Sequence, residues 1–136
     1  MNNLNKKFNN SVGYKGETAV MYKLKTCGFE LYKRNIKKID SEIDIVVYKY
    51  NLCKKTLDIR IIEVKTRKSY EFDLSTFGID KKWRLIRKHI FNIKEDIDRK
   101  FDILNYSEIH FDLALVKYHE NDYKIYRYIK DVNLML

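Results

Sequence analysis

An α/β fold, one mixed five-stranded sheet with helices against it, is predicted for this chain by three observations. Five stretches read as strands, two of them the strongly apolar Glu42–Tyr50 and Thr56–Lys65. Two others, Gly13–Thr26 and the stretch opening at Asp80, carry apolar residues at intervals of three and four, the period of a helix. These segments follow one another as helix, three strands, helix, two strands, an order that packs helices on a sheet rather than on each other.

The first helix has Val20, Met21 and Leu24 at helical spacing, and Cys27-Gly28 ends it, glycine being suited to the position just past a helix. Phe29–Ile36 reads as the first strand and Lys37–Ser41 as a polar turn. Glu42–Tyr50 and Thr56–Lys65 form a hairpin across Asn51-Leu52-Cys53-Lys54-Lys55. Thr66–Gly78 is a loop that mixes Arg67, Lys68, Tyr70, Phe72 and Phe77 with acids and hydroxyls. Asp80 is placed to cap the second helix, with Trp83, Ile86, Ile90, Ile93 and Ile97 on one face and Lys81, Lys82, Arg84, Arg87 and Lys88 on the other. With no Gly or Pro after Gly78, this helix has no written stop between Lys94 and Leu104. Glu108–Tyr118 and Tyr123–Ile129 complete the sheet across a turn at 119–122.

At 136 residues the chain is long enough for one well-buried domain, expected over 11–136. Met1–Asn10 is rich in Asn and Lys and has no apolar stretch, so it is expected to be a flexible basic tail rather than a secretory signal. Cys27 and Cys53 stand apart, and His89, His110 and His119 share no metal-ligand spacing. A reduced, cytoplasmic protein fits this pattern. Lys and Arg outnumber Asp and Glu by 28 to 19, for a net charge of +9. A compact basic domain points first to nucleic acid. A chain rich in Lys, Asn, Ile and Tyr also arises from AT-rich coding alone, so where the charge sits matters more than its sum.

The chemistry-bearing residues lie at the ends of two adjacent strands. Side chains alternate along a strand, so Glu63 and Lys65 share one face, and Asp44 sits between Ile43 and Ile45 on the strand before. Charges inside apolar strands are costly unless paired or metal-bound. Two carboxylates from neighbouring strands suit Mg²⁺, which accepts one or two and keeps water or phosphate oxygens elsewhere. A lysine beside them can orient a water or stabilise developing negative charge. Glu17 near the start of the first helix and Glu42 two residues before Asp44 are further candidates. Each has a plainer reading. Glu17 favours the helix dipole, Glu63 and Lys65 make a solvated pair, and Glu42 is a surface acid at a turn. Asp44 is the hardest to read that way.

Gly16-Glu17, Gly28-Phe29, Arg34-Asn35, Glu42-Ile43-Asp44-Ile45-Val46 and Ile62-Glu63-Val64-Lys65-Thr66-Arg67 occur in that order. Ile79–Ile86 and His110-Phe111-Asp112-Leu113-Ala114-Leu115-Val116 follow. Together they resemble the YraN-like family of predicted endonucleases, which are similar to archaeal Holliday-junction resolvases and share the PD-(D/E)xK nuclease core. The resemblance implies a restriction-endonuclease-like αβββαβ core and a Mg²⁺- or Mn²⁺-dependent DNA endonuclease, with branched or structured DNA among its substrates. Residue by residue, it makes Asp44 and Glu63 metal ligands, Lys65 the catalytic lysine, and Glu17 the helix glutamate beside the metal. Lys81 matches a lysine that opens the next helix, whereas Lys82 stands where the family has glutamine and Ser41 where it has glycine. The hairpin between the acidic strands is longer than usual. A homodimer is compatible with the resemblance, and no membrane is implied.

On this reading Arg67, Lys68, Lys81, Lys82, Arg84, Arg87 and Lys88 contact phosphates, which position a duplex without reading its sequence. Tyr70, Phe72 and Phe77 are available to stack on an unpaired base, although packing beneath the loop accounts for them as well. Two rivals stand beside it. One is a nucleic-acid-binding module without turnover, and the other is an interaction subunit whose basic face meets an acidic protein.

Overall fold

A computed structural model describes residues 11–69, 77–101 and 107–136. The expected basic tail (1–10), Tyr70 and Phe72 lie outside the described residues. Helix α1 spans Val12–Thr26, capped by the Ser11 hydroxyl, which accepts from the Tyr14 N–H at 3.1 Å. Its end follows the sequence reading. Gly28 takes φ +92°, where a side chain is strained, and its N–H donates to the Lys25 carbonyl.

Strands β1 (Glu30–Lys37), β2 (Glu42–Asn51) and β3 (Thr56–Arg67) form an antiparallel meander. Strand β4 (Ser107–His119) lies parallel to β3, and β5 (Asp122–Ile129) returns antiparallel to β4. The sheet order β1-β2-β3-β4-β5 is the mixed five-stranded α/β arrangement expected, and the element order contains the αβββαβ series.

The second helical stretch departs from expectation in two ways. Helix α2 (Ile79–Ile86) is capped by Gly78 at φ +62° without a side-chain bond, so Asp80 sits inside the first turn and is not the cap. A 3₁₀ turn at Arg87–His89 then separates α2 from α3, Ile90–Phe101. The apolar face nevertheless runs through the break. Ile86, Ile93 and Ile97 are buried, with Trp83 and Ile90 packed beside them.

Two cores result, one on each face of the sheet. Val46, Ile59, Ile61 and Phe111 pack under α2 and α3, where Trp83 stacks on Phe111 at 5.3 Å. Phe77 also packs against this core, which favours its structural reading. Ile45, Val47, Ile62 and Ala114 pack under Val20, Met21 and Leu24 of α1. Gly16 makes that second contact close. A Cβ there would lie 1.9 Å from Thr66 Oγ1, so only glycine lets α1 sit down on β3 at this point.

Candidate active site

The β2–β3 ladder runs from Asn51/Thr56 to Ile45/Ile62, and there the described pairing ends. Strand β2 continues against β1 as far as Glu42, while β3 continues against β4 as far as Arg67. Asp44 and Glu63 are the next residues on either side of this fork. Ile62 packs toward α1, so alternation sends Glu63 to the α2 face, while Asp44 lies between Ile43 of the α2-face core and Ile45 of the α1-face core.

Asp44 takes over the ladder's missing acceptor. Its Oδ2 accepts the Val64 N–H at 2.8 Å, which fixes the carboxylate across the fork. Burial, followed by the charges of Glu63 and Glu17, pushes its pKa up to about 8, against a partial offset from the Val64 N–H and Lys82. Glu63 is buried, with only 5% of its surface exposed, and carries two lysines. Lys65 Nζ is 3.1 Å from Oε1 and Lys82 Nζ is 3.2 Å from Oε2. Oε2 nonetheless has no hydrogen-bond donor in register among the described residues. Lys82 also donates to the Glu42 carbonyl, tying the first turn of α2 to the start of β2.

Glu17 approaches from the other face. It lies in the second turn of α1, too deep for the dipole reading to account for it. Arg34 holds it. That guanidinium stacks 4.0 Å over the Tyr14 ring, donates to Thr18 Oγ1 and the Tyr14 carbonyl at 3.0 Å, and reaches Glu17 Oε2 at 3.4 Å. Asn35 has φ +52°, a conformation its short amide tolerates, and with its NH₂ turned to the acids it donates to Glu17 at 3.2 Å and Glu42 at 3.0 Å. Burial raises the Glu17 pKa despite these donors. The clamping role of Arg34 and Asn35 was missed in the sequence reading, although the Arg-Asn pair itself was visible.

The remaining predicted contacts divide into two groups. Arg67, the last residue of β3, and Lys68 after it are exposed, and Lys81, Arg84, Arg87 and Lys88 are exposed on α2 and the 3₁₀ turn. Lys88 is paired with Asp40. Lys82 alone turns inward, so its cation serves the carboxylates rather than the outer face. Among the described residues no three His, Cys, Asp or Glu side chains form a cage able to hold an ion. A pair of carboxylates with an undersatisfied buried oxygen, and with more negative charge than burial favours, is the donor set Mg²⁺ accepts alongside water.

A five-stranded mixed sheet flanked by helices, with acids at the fork of its central strands, places this chain in the α/β class and is consistent with a nuclease-like core. The family model described as "Uncharacterised protein family UPF0102" matches residues 16–116, and the chain belongs to that family, the YraN-like group expected from its motifs. It is 28% identical over 102 residues to a UPF0102 protein of Chloroherpeton thalassium, with 71% of this chain and 74% of that protein covered. Among the described residues no helix is long and apolar enough to cross a membrane.

Proposed function

We propose that this protein is a Mg²⁺- or Mn²⁺-dependent endonuclease that hydrolyses phosphodiester bonds in DNA, branched and structured DNA included. One observation carries the reading: Asp44 and Glu63 come together at a strand fork, the Asp44 pKa raised by burial and by the charge of Glu63, with Lys65 and Lys82 against Glu63. Asp44 and Glu63 would hold the ion, which when bound supplies an activated water and offsets phosphate charge. Lys65 orients the attacking water and stabilises charge developing on the phosphate. Glu17, fixed by Arg34 and Asn35, completes the acidic pocket and adds to the negative charge that draws a cation. Arg67, Lys68 and the exposed cations of α2 hold the flanking phosphates.

Asp44→Ala and Glu63→Ala, tested on four-way junctions, flaps and single strands with each ion, are expected to lose cleavage while DNA affinity holds or rises. Undiminished cleavage by both variants sinks the mechanism. If purified wild-type protein cleaves none of these DNAs, the acids belong to a binding module without turnover.

A further inference from the structure

A second feature lies away from the acidic fork. A cleft of about 1020 Å³ opens between the C-terminal half of α1, the β2–β3 hairpin and β5. Arg60 lines it from β3, whereas Lys65 lies five residues on, along about 16 Å of strand, and faces the other side of the sheet. Five cations line the cleft: Lys23, Lys49, Arg60, Lys124 and Lys130, against Asp58 as the one acid among the described lining residues. Lys49 is used by the Cys27 carbonyl at 2.9 Å and Lys124 is 3.6 Å from Asp122. Lys23 and Lys130 have no acidic partner among the described residues. Phe29, Tyr123 and Tyr128 add ring surface to the same walls.

The arrangement is also held from behind. Asp112, with no exposed surface, accepts Arg60 Nη1 on both oxygens at 3.1 and 2.9 Å, the Tyr128 hydroxyl at 2.5 Å and the Asp131 N–H at 2.9 Å. Asp58 lies 3.5 Å from Arg60 Nε. A buried ion pair adds little net stability over apolar packing, so what this network supplies is a fixed position for a guanidinium and a phenol ring. Fixed cations beside flat rings recognise a ligand with both negative charge and an aromatic face.

We propose that this cleft binds a nucleotide, its phosphate on Lys23 and Lys130 and its base against the ring surface that Arg60 and Asp112 hold in place, either as a free mononucleotide or within a single strand. The volume is at the upper end of ordinary ligand pockets and admits one or two nucleotides. The site is independent of Asp44 and Glu63, and hence of the cleavage reading.

Isothermal titration of the full chain, without metal, with thymidine monophosphate, a 5′-phosphorylated trithymidylate, inorganic pyrophosphate and an oligoglutamate peptide tests this. Binding of one or both thymidylates is expected, and the stronger of the two identifies the source. Lys23→Glu combined with Lys130→Glu, both at exposed positions, is expected to weaken it by about tenfold or more. Hydrogen exchange is expected to slow at residues 23–29 and 123–130 on binding. The proposal is overturned if neither thymidylate binds, if pyrophosphate or the peptide binds as well, if the double variant binds undiminished, or if protection falls only on 79–88.

Discussion

Two carboxylates in the sheet, Asp112 fully buried and Asp44 half-buried, meet opposite fates. Asp112 on β4 is surrounded by donors: a guanidinium, a phenol and a main-chain N–H share its two oxygens. Asp44 on β2 receives one N–H and faces the like charges of Glu63 and Glu17. The first arrangement is complete within the chain; in the second both nearby lysines, Lys65 and Lys82, pair with Glu63, and Asp44 keeps one N–H and a partial offset from Lys82. Buried polar groups in native proteins are nearly always satisfied, so Glu63 Oε2, buried without a hydrogen bond among the described residues, is what sets this pair apart from Asp112.

That contrast can be broken by mutation. Asp112→Ala leaves Arg60 buried without its main counter-charge and is expected to destabilise the fold by about 3–5 kcal/mol in urea unfolding. A loss comparable to that of a surface change would mean that the network is not holding Arg60. Gly16→Ala tests how closely α1, which carries Glu17, must approach the fork. It is expected to cost about 1–3 kcal/mol, with Thr66→Ala in the same chain recovering part of the loss by removing the clashing hydroxyl. Full stability of Gly16→Ala alone would show that α1 can lift off β3 at no cost.

The sharpest test of incompleteness is pH. The Asp44 carboxyl titrates at about 8 in the folded chain against an ordinary 3.8, so across that interval the folded state holds a proton the unfolded state has lost. Its contribution to stability is therefore greatest at low pH and falls as pH rises through the interval. Asp44→Asn removes the titration. Urea midpoints of wild type and variant, without divalent ions, are expected to diverge in favour of the variant between about pH 4 and 8. Parallel curves would show that Asp44 ionises as freely folded as unfolded, and that neither burial nor its acidic neighbours weigh on it.

Much of this architecture was legible because alternation and helical spacing report which face of an element is apolar. Ile45, Val47 and Ile62, or Ile86, Ile93 and Ile97, declare their side of the sheet without reference to neighbours. Features that depend on a partner were less visible. Strand β3 runs on to Arg67 because β4 pairs with it that far, and the 3₁₀ break at Arg87–His89 carries no Gly or Pro to announce it. Lys82 looks like one of several cations on a polar helix face, and only the height of α2 above Glu63 turns it inward. Asp44, Glu63, Lys65 and Glu17 were singled out because charge in or beside apolar runs is conspicuous. Arg34 and Asn35 were not, since a polar pair on an edge strand is ordinary until the helix it grips is known.

The strand order has a consequence for assembly. β1, β2 and β3 pair through short turns, so the fork that holds Asp44 and Glu63 is reached by contacts local in the chain. The parallel β3–β4 pair joins residues separated by the whole stretch from Arg67 to Ser107, and Arg60 meets Asp112 only once that long loop closes. Non-local pairing sets the pace of folding in small domains. Contacts of the acidic fork are therefore expected to form ahead of the docking of β4, which builds the back wall of the cleft, and φ-values at Ile45 and Ala114 measure that order.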